Sequence, residues 1–195
     1  MLDGFKAERV ATSGTEIFVR SAGAGDPVLL IHGFPQTGDC WHKIAPALAK
    51  NFTVIVPDLR GYGASGKPAR SPDHSAHSKR AMAQDLIELM AALGHERFAV
   101  VGHDRGARVG FRLCMDHPER ATRFCSLDVI PTVNMWEKMD LAGAVGGFHW
   151  SFLAQPAPVP ETMIGSDPDF FYTYLMRKWA APGFVFEEDA MAAYL

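Results

Sequence analysis

The chain has 195 residues, 48% of them hydrophobic and 21% charged, which is the composition of an ordinary soluble globular protein. Lys and Arg number 19 against 22 Asp and Glu, so the net charge of -3 offers no basic surface for nucleic acid. The three cysteines form no Cys-x-x-Cys pair, which argues against a disulfide framework or a zinc site. No apolar run reaches the roughly 18 residues of a membrane span, so we expect a cytoplasmic protein that contacts no membrane.

The first predicted elements are two strands, Glu16–Arg20 and Pro27–His32, joined by a turn-rich connection typical of a hairpin. The second strand is apolar throughout and is therefore expected to be buried on both faces. Apolar residues at helical spacing predict a helix from Asp39 to Lys50. The run Phe52–Pro57 predicts another buried strand.

A loop rich in Gly, Ser and Pro precedes a predicted helix whose apolar stripe runs from Met82 to Leu93 and ends at Gly94. A short strand at 98–101, a helix at 107–115 and a strand at 124–130 follow. Buried strands alternating with amphipathic helices predict an α/β fold with a mainly parallel sheet flanked by helices. In such a sheet, ligands bind at the carboxyl ends of the strands.

The pattern changes at Thr132, after which Trp, Met, Phe, Pro and Gly recur with weak periodicity. We interpret residues 1–131 as the N-terminal part of the α/β core. Residues 132–195 are interpreted as a helical cap inserted over the edge of the sheet.

The segment from Val100 to Arg108 follows the strand, nucleophile, helix plan of the Gly-x-Ser-x-Gly turn, with Asp104 in the middle position. A carboxylate is ionised at neutral pH and can attack an sp3 carbon without a base, and a helix N-terminus favours its charge. The alternative is an aspartate that only caps the helix. The flanking residues Gly102 and Gly106, after a buried strand, favour the nucleophile.

Arg105 and Arg108 share one helix face in the first turn after Asp104. Cations at that end oppose the helix dipole, so local stability does not explain them. Two guanidiniums can hold a carboxylate by charge-assisted hydrogen bonds, which predicts a pocket for an anionic substrate. The alternative is a pair of surface arginines or an ion pair with Asp58 or Asp104.

Three further positions are candidates for the same site. The loop after His32 can aim the backbone N–H of Phe34 at a developing oxyanion, with the N–H of Arg105 as second donor. Asp128 ends the last predicted strand, where it can orient a catalytic histidine or simply belong to a loop. Asp58 is interpreted mainly as the stabiliser of a turn.

His149 and Trp150 are neighbouring N–H donors in the predicted cap. Such a pair suits a small leaving anion, although a packed His-Trp pair fits the sequence equally well. The other histidines show no spacing typical of metal ligands, so we propose no metal.

Several motifs together resemble the α/β-hydrolase superfamily and, within it, the fluoroacetate dehalogenases. They are His32-Gly-Phe-Pro-Gln, Asp58-Leu-Arg-Gly-Tyr-Gly-x-Ser65, Gly102-His-Asp-Arg-Gly-x-Arg108, Asp116-His-Pro118, Asp128 and His149-Trp150. Haloalkane dehalogenases and epoxide hydrolases typically have Trp after the nucleophile, where this chain has Arg105.

The resemblance implies that Asp104 displaces fluoride from C2 of fluoroacetate and forms an ester. It implies that Arg105 and Arg108 hold the substrate carboxylate and that His149 and Trp150 donate to the departing halide. No cofactor is implied, the expected partner is a small haloacid, and a homodimer is compatible with the resemblance.

The resemblance also implies that Asp128 orients the histidine that activates water against the ester, and this histidine follows the acid in the chain. The one histidine after Asp128 is His149, which the resemblance assigns to halide binding. We therefore expect a fragment that lacks the triad histidine, aggregates readily and hydrolyses the ester very slowly.

Two alternatives stay open. One is an epoxide hydrolase or another haloacid dehalogenase on the same fold. The other is a truncated, non-catalytic protein that binds small carboxylates or associates with a partner.

Overall fold

The computed structural model describes residues 1–195, which divide into two compact units, chiefly residues 1–129 and 130–193. The strands are β1 (Lys6–Ala11), β2 (Glu16–Ala22), β3 (Pro27–Ile31), β4 (Thr53–Pro57), β5 (Phe98–His103) and β6 (Ala121–Leu127). The helices are α1 (Ala45–Leu48), α2 (Lys79–Ala92), α3 (Arg105–Asp116), α4 (Thr132–Glu137), α5 (Leu141–Gly146), α6 (His149–Leu153), α7 (Val159–Ser166), α8 (Pro168–Trp179) and α9 (Glu188–Tyr194). Two short 3-10 helices span Gly38–Trp41 and Ser75–His77.

The six strands form one sheet in the order β1-β2-β4-β3-β5-β6. Strands β4, β3, β5 and β6 are parallel, whereas β1 and β2 are antiparallel to their neighbours. The predicted α/β fold with a mostly parallel sheet flanked by helices is confirmed.

The hairpin expected between the first two predicted strands is wrong. Strand β2 pairs with β1 and β4, and β3 lies between β4 and β5. The physical reason is burial, because β3 is apolar on both faces and is covered on both only in the middle of the sheet. Strand β2, whose residues alternate between buried and partly exposed, lies nearer the edge.

Alternate residues of β3 enter two separate cores, one on each face of the sheet. Leu29 and Ile31 pack in the cluster that contains Leu86 of α2, while Val28 and Leu30 pack in the cluster that contains Trp41. This is the period-two alternation of a strand that is buried on both sides. The cores therefore hold the centre of the sheet, and with it the loop that follows β3.

The continuous helix expected from Asp39 to Lys50 is wrong. The chain instead forms the 3-10 helix Gly38–Trp41 and, separately, the four-residue helix α1. Pro46 explains the break, since proline has no N–H and is accepted only in the first turn of a helix, where α1 has it.

The last strand of the first unit begins and ends three residues earlier than expected. Strand β6 runs beside β5 from the Phe98 and Ala121 pair to the His103 and Leu127 pair, and Asp128 then leaves the strand with a φ of 51°. Polar residues at its start are tolerated because β6 is an edge strand, with 37% of Phe124 exposed.

The second unit contains helices α4 to α8 and most of α9, and Leu175 and Met176 of α8 are buried. Its interpretation as a cap over the sheet edge stays a prediction. None of the protein's helices is both long and apolar enough to span a lipid bilayer.

Candidate active site

Asp104 lies between the end of β5 and the start of α3, at the carboxyl edge of the sheet. Its backbone has φ 49° and ψ -118°, a conformation that non-glycine residues rarely adopt and that is found at strained functional turns. Its side chain makes no capping hydrogen bond to α3. The capping alternative therefore does not describe this aspartate, and the carboxylate is available for chemistry.

Glycines on either side of Asp104 allow α3 to start directly against the sheet. A Cβ on Gly102 would lie 2.6 Å from the Cα of Ala107, and a Cβ on Gly106 would meet the carbonyl oxygens of Ile31 and His32. Side chains at these two positions would push the helix away from β3 and β5. The close contact brings the turn at Asp104 next to the loop that follows β3.

The backbone N–H of Phe34 donates to Oδ1 of Asp104 at 2.9 Å. The sequence pattern predicted this N–H as an oxyanion donor, and in the structure it binds the carboxylate itself. This hydrogen bond fixes the position of Oδ1, while Oδ2 lies toward Arg108.

The His32 imidazole supports the Phe34 loop from the core. Nε2 accepts the backbone N–H of Leu59 at 2.9 Å, and Nδ1 lies 3.0 Å from the Gly33 carbonyl oxygen, so Nδ1 carries the proton of a neutral ring. Burial lowers the pKa of His32. Fully buried and bonded on both sides, this histidine positions the loop and has no access to a substrate.

Both predicted carboxylate-binding arginines lie beside Asp104. Nη1 of Arg108 is 3.7 Å from Oδ2 of Asp104, and the Arg108 side chain is 8% exposed. Burial lowers the pKa of Arg108, although the charge of Asp104 opposes this. The guanidinium carbon of Arg105 lies 4.6 Å from the centre of the Phe34 ring. A separation of 3.7 Å is long for a hydrogen-bonded pair, so the interaction with Asp104 is mainly electrostatic.

Asp128 lies next to Asp104 at the same edge of the sheet. The backbone N–H of Asp104 donates to the Leu127 carbonyl oxygen at 3.3 Å, one residue before Asp128. Asp128 is exposed and has a φ of 51°. The structure thus brings two carboxylates to neighbouring strand ends, as the alternation of strands and helices predicted, and the orienting role of Asp128 stays a prediction.

Asp58 has the structural role that the sequence favoured. Its carboxylate accepts the N–H groups of Gly38 and Ala64 at 2.8 Å and 2.9 Å, and its carbonyl accepts the Ser65 hydroxyl at 2.6 Å. These bonds close the turn after β4. The ion pair that the structure shows for Arg108 is with Asp104, which is one of the two partners that the sequence left open.

The two predicted halide donors start α6 in the second unit. The His149 ring lies 4.6 Å from the ring of Trp179, and Trp150 makes an edge-on contact with Trp136 at 5.7 Å. Both residues are partly exposed, and their role toward a halide stays a prediction. Trp179 was missed from the sequence because it follows His149 by 30 positions, with no spacing that connects them.

Lys79 was also missed from the sequence, where it is one of many charges on a helix. In the structure its ammonium interacts electrostatically with Asp104, Arg105 and Arg108, and burial lowers its pKa to about 8. The signal that could have identified it is its position at the first residue of α2, directly after the capping residue Ser78.

Comparison with known proteins identifies the family of the chain. A family model described as the alpha/beta hydrolase fold matches residues 26–184. A fluoroacetate dehalogenase from Burkholderia sp. is 48% identical over 183 residues, which are 94% of this chain and 60% of that protein. A soluble epoxide hydrolase from Corynebacterium sp. strain C12 is 43% identical over 119 residues, which are 61% of this chain and 40% of that protein.

Among solved structures, a protein from Nostoc sp. PCC 7120 described as an alpha/beta hydrolase matches with a TM-score of 0.97 and 48% identity. The match covers all of this chain and 67% of that one. The chain thus spans about 60% of the length of the fluoroacetate dehalogenase and about two thirds of the Nostoc protein.

Proposed function

The chain belongs to the alpha/beta hydrolase fold family, and on that premise we propose that it carries the nucleophile and the carboxylate pocket of a haloacetate dehalogenase. The observation that carries the proposal is the arrangement around Asp104. Its carboxylate is held by a backbone N–H at 2.9 Å and has the buried guanidinium of Arg108 3.7 Å away.

The charges favour an anionic substrate. Asp104 alone would repel a carboxylate, whereas Arg105 and Arg108 add two positive charges that outweigh it. Guanidiniums are always ionised and can bind a planar carboxylate through two parallel hydrogen bonds. A haloacetate held in this way brings its C2 carbon to the nucleophile, because the carboxylate and the halogen-bearing carbon are adjacent atoms.

In the proposed reaction, Oδ2 of Asp104 attacks C2 of the haloacetate from the side opposite the halogen. The new O–C bond forms as the carbon–halogen bond breaks, and the halide leaves with the bonding electron pair. Oδ1 becomes the carbonyl oxygen of the ester and keeps the Phe34 N–H bond. When water later attacks the ester, the same N–H stabilises the negative charge that develops on this oxygen.

The leaving halide needs donors that replace its lost water. His149 and Trp150 are proposed for this role, because fluoride is strongly hydrated and leaves only where preorganised donors receive it. Asp128 is proposed to orient the histidine that activates the hydrolytic water. The similarity to a fluoroacetate dehalogenase supports a halide as the leaving group.

An epoxide hydrolase is the second candidate, supported by the 43% identical relative from Corynebacterium. The same carboxylate would open an epoxide ring and form an ester, with no halide released. Arg105 and Arg108 weigh against it, since an uncharged epoxide gains nothing from two guanidiniums next to the nucleophile.

The proposal is tested by mixing the chain with fluoroacetate, chloroacetate or an epoxide and measuring released halide and the ester on the peptide that contains Asp104. We expect halide and ester in equal amounts in the first turnover. Asp104→Asn abolishes both, and the exposed Asp26→Asn is the matched control that leaves both unchanged.

The free cysteines require a separate control. Cys125 is exposed, and a thiolate attacked by chloroacetate also releases halide. The adduct is therefore located by peptide mass, and Cys125→Ser is compared. Halide that appears with an adduct on cysteine alone contradicts the proposal, and so does an epoxide-derived ester without halide release from any haloacetate.

A further inference from the structure

The side chain of Arg105, the first residue of α3, contacts an aromatic ring instead of an acidic group. Its guanidinium forms no hydrogen bond and no ion pair within the chain. The guanidinium carbon lies over the Phe34 ring, 4.6 Å from its centre, which is within the roughly 6 Å at which a ring attracts a cation. A ring face takes up none of the N–H groups in a conventional hydrogen bond, so the donors of Arg105 stay available to a ligand.

Arg108 is held in a different way. Its side chain is 8% exposed, and Nη1 lies 3.7 Å from Oδ2 of Asp104, so packing and charge fix its position. Arg105 is less buried than Arg108. A long side chain that is partly exposed has many rotamers, and restricting them before binding lowers the entropic cost of holding a ligand. The ring of Phe34 provides such a restriction for Arg105.

The loop that carries Phe34 is itself fixed from the core. Nε2 of His32 accepts the backbone N–H of Leu59 at 2.9 Å, and the N–H of Gly38 donates to Oδ1 of Asp58 at 2.8 Å. His32 and Asp58 are both buried. The turn after β4 therefore holds the loop at two points, with Phe34 between them, and the ring has a rigid support.

We propose that the side chain of Phe34 is a positioning residue for Arg105, whose guanidinium it holds where that group binds the carboxylate of the substrate. The inference rests on the proposed function of the pocket. It gives Phe34 two separate tasks, since its backbone N–H binds Asp104 and its ring contacts Arg105. A single residue thereby sets the position of the nucleophile relative to the group that holds the substrate.

Acetate is the suitable probe, because it has the carboxylate of a haloacetate and no leaving group. Its dissociation constant is measured by titration calorimetry for the unaltered chain and for Phe34→Leu, which keeps the backbone N–H and an apolar side chain without the ring. We expect about 3-fold weaker binding, the effect of one partly exposed cation–π contact. Phe34→Tyr keeps the ring and should bind acetate as the unaltered chain does.

The kinetics of ester formation separates the positioning of Arg105 from damage to the loop. In Phe34→Leu the chloroacetate concentration that gives half of the maximal rate should rise about 3-fold. The maximal rate should fall by less, because the N–H that binds Asp104 is retained. A loop that had only loosened would instead lower the maximal rate, since its N–H would leave the nucleophile.

A double-mutant cycle assigns the effect to Arg105. In an Arg105→Met background, Phe34→Leu should cause no further loss of acetate affinity, whereas in an Arg108→Met background it should still weaken binding about 3-fold. Phe18→Leu is the matched control and should leave acetate affinity unchanged. The Phe18 ring also has a guanidinium over it, that of Arg20 at 5.3 Å, but it belongs to β2, which β4 and β3 separate from β5.

Equal acetate affinity of Phe34→Leu and the unaltered chain would overturn the inference, as would an equal loss in the Arg105→Met background or a lack of acetate binding by the unaltered chain. If Phe34→Leu does not fold, Phe34→Met takes its place in the same cycle. A chain that binds acetate through the coupled pair and releases no halide disproves the dehalogenase proposal alone. Halide release without that coupling disproves this inference alone.

Discussion

The backbone N–H of Phe34 donates to Oδ1 of Asp104 across 2.9 Å, although the two residues are 70 positions apart in the chain. The sheet order explains the contact, because β3 lies directly beside β5 and both strands end at the same edge. The N–H orients the nucleophile before the proposed reaction and is already in place for the oxyanion afterwards, which is the preorganisation that catalysis requires.

Gly33→Ala should break this contact. An added Cβ would lie 2.5 Å from the Cβ of Asp104 and 2.8 Å from the His103 carbonyl oxygen, so the Phe34 loop must move away. We expect ester formation at saturating chloroacetate to slow by about 100-fold, because the carboxylate loses the hydrogen bond that orients it and a displacement of about 1 Å can have this effect. Gly146→Ala is the control, since a Cβ there meets nothing within 4 Å. An unchanged rate in Gly33→Ala would show that the Phe34 N–H has no part in the reaction.

Arg108→Lys should weaken carboxylate binding although the charge is retained. Lysine lacks the planar fork of arginine, and its ammonium does not reproduce two parallel hydrogen bonds. We expect about 10-fold weaker acetate binding, the loss of one charge-assisted hydrogen bond. The matched control is Arg112→Lys, one turn further along α3, whose Nε donates to Asp116 at 2.7 Å. Acetate affinity that is equal in Arg108→Lys and the control would exclude bidentate binding by Arg108.

His32 should make the protein less stable in mild acid. Burial lowers its pKa in the folded state, whereas the unfolded chain binds a proton near pH 6.5. The stability that the neutral ring provides is therefore complete above about pH 6.5 and is lost as the pH falls below it, by at most about 1.4 kcal/mol per pH unit.

The urea unfolding free energy at pH 7.5 and pH 5.5 checks this. His32→Gln, which cannot titrate, should lose less stability between the two pH values than the unaltered chain does. His95→Gln, at a position beyond the end of α2, should behave like the unaltered chain. The same acid-induced loss in His32→Gln would assign the pH dependence to other groups.

Trp150→Phe should impair the reaction of fluoroacetate more than that of bromoacetate. Phenylalanine keeps an aromatic ring against Trp136, 5.7 Å away in the unaltered chain, but has no N–H for a halide. Fluoride depends most on such donors, since it loses the strongest hydration when it leaves. Initial rates of ester formation with both substrates measure the ratio, and Trp136→Phe is the control. A similar decrease with both halides would assign Trp150 to packing instead.

Much of the fold could be predicted because its signals are local. Leu29 and Ile31 alternate with Val28 and Leu30, which is enough to identify a strand buried on both faces. The break in the helix at Pro46 could also have been predicted from the sequence, since a proline inside a helical pattern marks a helix boundary. The pairing of the strands could not be predicted in this way. The expected hairpin was wrong because strand pairing depends on burial across the whole sheet.

In the candidate site, too, the features with local sequence signals were predictable and those without them were not. Asp104 and its arginines form one contiguous motif in which a strand, a strained turn and a helix follow each other, so residue types and spacing were sufficient to predict this local arrangement. The contact of Trp179 with His149 had no such signal, because the two residues lie on different helices.

The amino-acid order alone was sufficient for the α/β class, the turn that presents Asp104 and the excess of positive charge beside it. These depend on periodicity and spacing over a few residues, which the chain displays directly. The tertiary structure was needed to place the Phe34 N–H on one carboxylate oxygen and the Trp179 ring against His149. Such distances follow from strand order and helix packing, and these are set by the burial of the whole core rather than by any local pattern.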